Sequence, residues 1–385
     1  MVRSNLSSHT VALILAGGQG SRLAPLTDSK PKPAVSLAGT YTLIDIVLSN
    51  LSHSGIRNVW IVEQYLGHVL NSYLSSGRPW DLDGTRSGLR IAPPVEGPDQ
   101  DDSEGFSEGN GHVLFQQLEA LEESGANTVI VTSADHLYSL DFRAVLEQHH
   151  STNSDLTIVT TAIEEHPGRY GVVEADDTGR VTSYAYKPED PAGQIVATEV
   201  FIFEVEALAA TIRGLLKELD TPSDLGDYGE TIIPAMVRDG IVNEYRMEGY
   251  WRDLGTIDAY FQAHMDIIDG AVTLDDPDWP VITNTTHFSP AYVSSQASVN
   301  DSLICAGARV EGTVEHSVIG PGAVVEHGAE VHRSIINSGV VVPAGAVLHS
   351  VIADTGATVA TGPIGETKPG PGNITVCSPE ATTKT

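Results

Sequence analysis

One stretch near the amino terminus decides the fold of the first part of the chain: Val11-Ala12-Leu13-Ile14-Leu15-Ala16-Gly17-Gly18-Gln19-Gly20-Ser21-Arg22-Leu23. Its first six residues are apolar and predict a strand that is buried on both faces of a sheet. The glycines that follow lack a β-carbon, so backbone N–H groups there can approach phosphate oxygens closely. The same spacing is compatible with a tight turn after a core strand.

Three basic residues follow this glycine loop, namely Arg22, Lys30 and Lys32. Their positive charges favour a nucleoside triphosphate as the ligand of the loop over a plain turn. The loop does not end in the Gly-Lys-Ser/Thr of a Walker A motif, and Leu23 stands where a dinucleotide fingerprint has its third glycine. A P-loop nucleotidase and a dinucleotide oxidoreductase are therefore disfavoured.

The composition excludes several classes of partner. The chain carries 51 acidic against 21 basic residues, a formal net charge of −30, which argues against nucleic acid and anionic membranes as partners. No apolar run reaches the length of about 18 residues that a membrane span needs. Cys305 and Cys377 are too few for a disulfide framework, so we expect a cytoplasmic protein. Because phosphates are anions, the scarce basic residues and Mg²⁺ should concentrate where phosphates bind.

Apolar strands alternate with helical patterns through the first part of the chain. A helix is predicted over residues 43–54, and strands are predicted over 59–62 and 128–132. This alternation predicts a mostly parallel sheet with helices on both faces, whose ligands lie at the carboxyl ends of the strands. Asp135 follows one such strand, so its carboxylate is a candidate metal ligand or, alternatively, a turn former.

Beyond about residue 290 the apolar residues recur every six positions, as in the three rows Val293, Val299, Cys305 and Ile319, Val325, Val331 and Ile336, Val342, Leu348. This period is typical of hexapeptide repeats that form a triangular parallel β-helix of about four coils. A small antiparallel β-domain is the alternative. We therefore expect an α/β domain over residues 1–270, a linker over 271–290, the β-helix over 291–365 and a loosely ordered tail over 366–385.

Two motifs, Leu15-Ala16-Gly17-Gly18-x-Gly20-x-Arg22-Leu23 and Lys32-Pro33-Ala34, resemble the signature of the sugar-phosphate nucleotidyltransferases. Within them the chain is most similar to the bacterial ADP-glucose pyrophosphorylase (glucose-1-phosphate adenylyltransferase) family, and the similarity continues through Leu43-Ile44-Asp45 and Gln64-Tyr65. The resemblance implies a Rossmann-like mixed or mostly parallel α/β sheet, then a left-handed parallel β-helix, and a homotetramer.

The resemblance also implies a reaction, in which glucose 1-phosphate and ATP give ADP-glucose and pyrophosphate for glycogen or a related α-glucan. Both reactants are anions, so catalysis depends on a clamp of cations and on Mg²⁺. The motifs imply that Arg22, Lys32 and Asp135 are catalytic. Asp135-His136-x-Tyr138 and Tyr250-Trp251-Arg252-Asp253-Leu254-Gly255-Thr256 imply that Asp135 and Asp253 hold the metal. We expect His136 to have a structural role.

Substrate-binding residues follow from the same resemblance. The expected nucleotide-binding residues are Leu15, Ala16, Gly17, Gly18, Gly20, Gln64, Gly109 and Asn110. The expected residues for the sugar phosphate are Lys187 of a Lys-Pro pair, Glu199, Asp224 and Trp251. Asp224 is placed there by the similarity of Ser223-Asp224-Leu225-Gly226 to a His-Asp-Phe-Gly motif.

The chain departs from the family where the base and the sugar are expected to bind. An Ala-Gln-Gln-Arg type segment is replaced by Ala92-Pro93-Pro94-Val95, and Gly109-Asn110-Gly111-His112-Val113 stands in a second block expected to hold the base. Tyr186 replaces the glutamate that precedes the lysine of the Glu-Lys-Pro motif, and Glu199 replaces a glycine. Two alternatives therefore stay open: another sugar 1-phosphate or nucleoside triphosphate as substrate, and a regulatory paralogue without catalytic activity.

Overall fold

The apolar stretch at residues 11–16 lies in a central strand of the computed structural model of the protein. The structure describes residues 9–17, 20–63, 66–85, 87–92, 109–284 and 286–379. Strand β1 (Thr10–Ala16) is buried along its whole length and pairs in parallel with a strand on either side. A strand without an exposed face needs apolar residues at successive positions, which is why its sequence does not alternate.

The amino-terminal domain contains twelve further described strands, which are β2 (Ser36–Leu37), β3 (Tyr41–Thr42), β4 (Val59–Glu63), β5 (Leu89–Ala92), β6 (Thr128–Ser133), β7 (His136–Tyr138), β8 (Leu156–Ala162), β9 (Gly171–Ala175), β10 (Val181–Tyr186), β11 (Ile195–Glu204), β12 (Val242–Arg246) and β13 (Trp251–Asp253). Its described α-helices are α1 (Leu43–His53), α2 (Gly67–Leu74), α3 (Asn110–Glu123), α4 (Phe142–Ser151), α5 (Val205–Leu215), α6 (Ile232–Asp239) and α7 (Ile257–Ile268).

The main sheet is mixed, as the sequence predicts. Seven of its strands follow the order β10-β9-β11-β6-β1-β4-β5, and β8 joins β11 to β12. The strands β6, β1, β4 and β5 are parallel, whereas β11 runs antiparallel to β6, β8 and β9. Because parallel strands end at the same edge of a sheet, Gly17, Glu63 and Asp135 lie along one edge.

Helices cover both faces of this sheet. Ile14 faces one buried core together with Leu48 of α1, while its neighbour Leu13 faces a second core together with Leu118 of α3. The alternation of side chains along a strand sends adjacent residues to opposite faces. The sheet thus has a continuous apolar core on each side, and its polar edge is left for ligands.

The carboxyl-terminal part is a parallel β-helix, whose described strands are β14 (Tyr292–Val293), β15 (Ser298–Asn300), β16 (Leu303–Ile304), β17 (Arg309–Val310), β18 (Thr313–Glu315), β19 (Val318–Ile319), β20 (Val324–Val325), β21 (Glu330–His332), β22 (Ile335–Ile336), β23 (Val341–Val342), β24 (Ala346–His349), β25 (Val351–Ala353), β26 (Gly362–Gly365) and β27 (Thr375–Cys377). They form three parallel sheets of four, five and five strands. This parallel pairing excludes the antiparallel alternative.

The rows of apolar residues line the inside of this β-helix. Ile319, Val325 and Val331 are fully buried, whereas Val293, in the first coil, is 48% exposed. The strands extend beyond the predicted limit at residue 365, since β27 lies within the segment predicted to be a tail. It is held there because Thr375–Cys377 pairs in parallel with β25.

The two domains share one apolar core. Val318, Ile335 and Ile352 of the β-helix belong to the same buried cluster as Leu43 of α1. An ion pair of 3.0 Å between Lys30 Nζ and Asp354 Oδ1 also joins the domains, and the Asp354 side chain is only 4% exposed. None of the helices in the described ranges is long and apolar enough to cross a membrane.

Candidate active site

Two carboxylates and a lysine meet at the polar edge of the main sheet. Lys32 Nζ donates a hydrogen bond to Asp135 and lies 3.9 Å from Asp253 Oδ1. The lysine is buried, and the side chains of Asp135 and Asp253 are 20% and 10% exposed. The structure therefore brings together three residues that span more than 200 positions of the sequence.

A small two-stranded sheet positions Asp253 beside Asp135. Strand β13 pairs antiparallel with β7, so that Asp253 lies opposite His136 and Trp251 lies opposite Tyr138. The backbone N–H of Leu254 also donates to the carbonyl of Asp135 at 3.1 Å. These backbone bonds fix the two carboxylates relative to each other independently of their charges.

The carboxylates and His136 form a group that fits a metal ion. One ligand atom from each of Asp135, His136 and Asp253 lies within 4.8 Å of the others. His136 Nε2 is 3.5 Å from Asp135 Oδ1 and 3.7 Å from Asp253 Oδ1. Carboxylate oxygens are the ligands that Mg²⁺ prefers, and the ammonium of Lys32 beside both of them shows that this space suits a cation.

The charges of the group keep Asp135 ionised. Burial alone would raise the pKa of Asp135, but Lys32 and His136 beside it and the hydroxyl of Ser133 together hold that pKa well below its usual range. An ionised carboxylate is the form that binds a metal ion.

The glycine loop packs against this lysine. Gly20 has a φ of +63°, and a β-carbon there would lie 3.2 Å from Lys32 Cβ. Leu15 and Ala16 are buried at the end of β1, while Gly17 is exposed. Gly18 and Gln64, two of the predicted nucleotide-binding residues, lie outside the described residues.

The three basic residues near the loop have different surroundings in the structure. Arg22 is exposed in a short 3₁₀ turn (Ser21–Leu23), and Lys32 lies between the two carboxylates. Lys30 instead pairs with Asp354 of the β-helix. The prediction that Lys30 contributes to phosphate binding is therefore wrong, because its ammonium neutralises the buried carboxylate of Asp354 between the two domains.

Gly109 and Asn110 stand at the start of α3. A β-carbon on Gly109 would lie 2.3 Å from the carbonyl oxygen of Gly226, and the N–H of Gly111 donates to that same oxygen at 2.8 Å. The sequence predicts that these glycines allow close approach to a base. In the structure they allow close approach of the segment around Gly226.

Glu199 lies in an irregular part of β11, where the pairing with β8 shifts between Ala197 and Phe201. Its φ is +58°, and it accepts a hydrogen bond from Tyr228 Oη. Burial raises the pKa of Glu199 to about 7, and the negative charges of Asp227 and Asp135 add to this effect, while the Tyr228 bond opposes it. The shift in strand pairing thus places a titratable carboxyl near Asp135 and Asp227.

A second set of polar residues adjoins Glu199. Tyr186 Oη donates to Asp227 Oδ2 at 2.7 Å, and Lys187 Nζ lies 2.5 Å from Tyr186 Oη. Lys187 is exposed, with a φ of +45° and its backbone N–H bonded to the carbonyl of Tyr170. Tyr186 thus links the predicted phosphate-binding lysine to a carboxylate that the sequence analysis did not select.

The structure does not bring Asp224 to this set. The Asp224 carboxylate caps a 3₁₀ turn (Pro222–Leu225) by accepting from the N–H and hydroxyl of Thr221. Asp227, three residues later, is the aspartate that contacts Tyr186. The signal was present in the sequence, because Asp227-Tyr228-Gly229 has the same order of acid, aromatic residue and glycine as the family's His-Asp-Phe-Gly motif.

Trp251 lies against two other rings. Its ring is 5.4 Å from that of Tyr170 in an edge-to-face arrangement and 5.3 Å from that of His136. The Nε1 atom is buried and has no acceptor among the described residues. Arg169, which no motif indicated, brings its Nη2 atom to 3.6 Å from Asp253 Oδ2.

Comparison with known proteins identifies the family of this site. The profile of the family described as nucleotidyl transferase matches residues 11–270. The chain belongs to the nucleotidyl transferase family. The matched residues of this nucleotidyl transferase contain all the catalytic and metal-binding candidates above. A second profile, described as a GlmU-like C-terminal hexapeptide, matches residues 285–368, and the left-handed β-helix that the sequence predicts agrees with this match.

Two relatives of the chain carry a more specific name than the family profile does. This nucleotidyl transferase is 36% identical over 328 residues to the glucose-1-phosphate adenylyltransferase of Thermotoga maritima, across 84% of this chain and 76% of that protein. It is 35% identical over 333 residues to the protein of the same name from Clostridioides difficile, across 85% and 84% of the two chains. The resemblance stated from the motifs is thereby confirmed.

Proposed function

We propose that this nucleotidyl transferase catalyses the Mg²⁺-dependent transfer of an adenylyl group from ATP to glucose 1-phosphate, giving ADP-glucose and pyrophosphate. The observation that carries the proposal is the cluster of Lys32, Asp135 and Asp253 at the carboxyl edge of the sheet. The names of the relatives support the choice of ATP and glucose 1-phosphate.

The reaction needs the two anionic substrates held in line. A phosphate oxygen of the sugar phosphate attacks the α-phosphorus of ATP, the new P–O bond forms, and the bond to the β-phosphate breaks to release pyrophosphate. Little covalent chemistry is required of the protein, so positioning and charge stabilisation account for most of the rate. Arg22 and Lys32 are suited to hold the triphosphate, and Lys187 is suited to hold the phosphate of the sugar.

Asp135 and Asp253 would hold Mg²⁺. When bound, the ion would neutralise phosphate charge and polarise the α-phosphoryl group. The residues fit this role, because both carboxylates are largely buried, face the same space and already stabilise the ammonium of Lys32 there. His136 lies within the same group, but its Nε2 also approaches both carboxylates and suits a structural role.

The sugar would lie against Trp251, between Asp253 and Glu199. An aromatic face suits the apolar side of a pyranose, and the unpartnered Nε1 donor of Trp251 can reach a hydroxyl. Glu199 and Asp227 supply acceptors for further hydroxyls. Glu199 replaces a family glycine, and Tyr186 a family glutamate, so we infer that these two changes together restore a carboxylate to the sugar subsite.

An assay over a panel of substrates tests the proposal. The protein is incubated with Mg²⁺, each of ATP, UTP, dTTP and GTP, and several sugar 1-phosphates, and pyrophosphate is measured. Release with ATP and glucose 1-phosphate alone is the expected result. Release with a different pair would show that the protein catalyses the same nucleotidyl transfer with other substrates. If no pair releases pyrophosphate, the protein is better explained as a regulatory paralogue without catalytic activity.

We further propose that the product serves glycogen or α-glucan synthesis and that the protein is a homotetramer. Both proposals rest on the resemblance of the sequence to the family. Sedimentation velocity tests the second one, since a monomer at micromolar concentration would contradict it.

A further inference from the structure

One tyrosine hydroxyl near the proposed sugar subsite has no partner in the protein. Tyr184 lies in β10, and its Oη atom is buried without a hydrogen-bond partner in the described part of the chain. A hydroxyl that stays unpaired in the protein interior costs free energy, and native structures contain few of them. The hydroxyl of Tyr184 therefore indicates a partner from outside the described residues.

The neighbours of Tyr184 place its hydroxyl beside the sugar subsite. Tyr184 and Tyr186 lie two residues apart in one strand, so their side chains point to the same face of the sheet. A β-carbon on Gly171 would lie 2.3 Å from Tyr184 Oη, which means that the hydroxyl packs against the backbone of Gly171. The residue before it, Tyr170, packs its ring at 5.4 Å against Trp251, the proposed platform for the sugar.

Two carboxylates lie near the same hydroxyl. Burial raises the pKa of Tyr184 well above its ordinary value, and the negative charges of Glu199 and Asp227 raise it further, so the hydroxyl keeps its proton and is a donor. The two carboxylates accept hydrogen bonds from other tyrosines, Glu199 from Tyr228 Oη and Asp227 from Tyr186 Oη. Both carboxylates are half-buried, so a ligand can reach them from solvent.

A sugar hydroxyl is the substrate group that suits this arrangement. It can accept a hydrogen bond from Tyr184 Oη and at the same time donate one to Glu199 or Asp227. A phosphate oxygen would instead meet the repulsion of both carboxylates. The chemistry of the cluster therefore favours the sugar ring over the phosphate as the partner of Tyr184.

We propose that Tyr184 is a further specificity-determining residue, whose hydroxyl binds one hydroxyl of the sugar ring together with Glu199 or Asp227. The inference rests on the proposed function, because that function places the sugar against Trp251. A site built to bind a hydroxyl rejects an analogue that lacks it, since the protein groups are then left unpaired. Tyr184 therefore selects against a deoxy sugar 1-phosphate.

Steady-state kinetics with glucose 1-phosphate and with analogues that each lack one ring hydroxyl test the proposal. Loss of the hydrogen bond should raise the KM of Tyr184→Phe for glucose 1-phosphate about tenfold. For one analogue, the ratio of its kcat/KM to that of glucose 1-phosphate should be about tenfold higher in Tyr184→Phe than in the wild type, because the variant has no donor left unpaired. Equal ratios in the two proteins for every analogue would overturn the proposal.

Thermal unfolding without ligand separates this role from a structural one. Tyr184→Phe should unfold at the same temperature as the wild type or at a higher one, since it removes an unpaired hydroxyl. Tyr260→Phe is the matched control, because Tyr260 is fully buried and its Oη donates to the carbonyl of Ser36 at 2.7 Å, so that its loss should lower the unfolding temperature. A decrease in Tyr184→Phe like that in Tyr260→Phe would overturn the proposal, since Tyr184 Oη would then have a partner in the free protein.

Binding of glucose 1-phosphate keeps the test independent of turnover. Its Kd is measured from the rise in unfolding temperature, with Mg²⁺ and an ATP analogue that cannot be cleaved between the α- and β-phosphates. A wild type that forms no ADP-glucose would contradict the proposed function, and the role of Tyr184 is then decided by this binding. The Kd should be about tenfold higher for Tyr184→Phe, and equal Kd values or no binding to the wild type would overturn the proposal.

Discussion

Lys32 Nζ and Asp253 Oδ1 lie 3.9 Å apart, directly beside the backbone of Gly255. A β-carbon on Gly255 would lie 2.8 Å from Asp253 Oδ1 and 3.2 Å from Lys32 Nζ. Such contacts are too close to persist, so a side chain at this position must displace one of the two charged groups.

We therefore expect Gly255→Ala to lower kcat about tenfold or more, since displacement of catalytic groups by a fraction of an ångström is costly. Gly214→Ala is the matched control, because no atom lies within 4 Å of the β-carbon it would add. Steady-state kinetics of both variants measure the effect. Equal activity of the two variants would mean that the spacing between Lys32 and Asp253 is not critical.

Glu199 should make sugar binding depend on pH. Burial and the neighbouring carboxylates raise its pKa to about 7, so it is protonated below that pH and becomes an ionised acceptor above it. If it accepts from a sugar hydroxyl, kcat/KM for glucose 1-phosphate should rise as the pH increases through 7. In Glu199→Gln this rise should disappear, and KM for the sugar phosphate should increase about tenfold, as expected for a lost charged hydrogen bond.

Tyr228→Phe is the comparison variant for Glu199→Gln, because it removes the hydrogen bond from Tyr228 Oη to Glu199 and keeps the Glu199 carboxyl. This bond lowers the pKa of Glu199, so its loss should move the pH-dependent rise to higher pH. An unchanged profile in Glu199→Gln would show that this carboxyl does not contact the sugar.

The ion pair between Lys30 and Asp354 should matter for stability more than for catalysis. Among the described residues, Lys30→Met leaves the largely buried Asp354 with Asn337, at 3.1 Å, as its remaining side-chain hydrogen-bond partner. Removal of one member of a buried pair costs about 3 kcal/mol in the free energy of unfolding. Urea denaturation should show this loss, and the double variant Lys30→Met/Asp354→Asn should recover part of it.

The activity of the same variant decides between two roles for Lys30. If the role of Lys30 is to join the two domains, the folded Lys30→Met variant should have a kcat close to that of the wild type. A large loss of kcat at an unchanged free energy of unfolding would show instead that Lys30 acts in phosphate binding.

The sequence was sufficient for features that depend on local pattern. The apolar run at 11–16 and the period of six after residue 290 predicted a central strand and a β-helix, and Asp135 was predicted to follow a buried strand. Such patterns are local, since a strand or coil buries the residues that its own periodicity presents.

Features that depend on pairing across the chain could not be predicted. Lys30 finds its partner 324 residues away, and Arg169 meets Asp253 without any motif that indicates it. Asp224 and Asp227 lie in the same polar segment, and their contacts distinguish them, because Asp227 accepts from Tyr186 Oη whereas Asp224 accepts from its neighbour Thr221. The choice among nearby acidic residues is made by tertiary structure, which a single sequence does not specify.

The most direct test of the account measures ADP-glucose formation from ATP and glucose 1-phosphate while Mg²⁺ is titrated. Asp135→Asn and Asp253→Asn are compared with the wild type and with Asp239→Asn, a control on the surface paired with Arg238. We predict Mg²⁺-dependent product from the wild type and the control, and a loss of about 10²-fold or more in kcat for the first two variants. Near-normal activity of Asp135→Asn and Asp253→Asn, or no ADP-glucose from the wild type, would contradict the account.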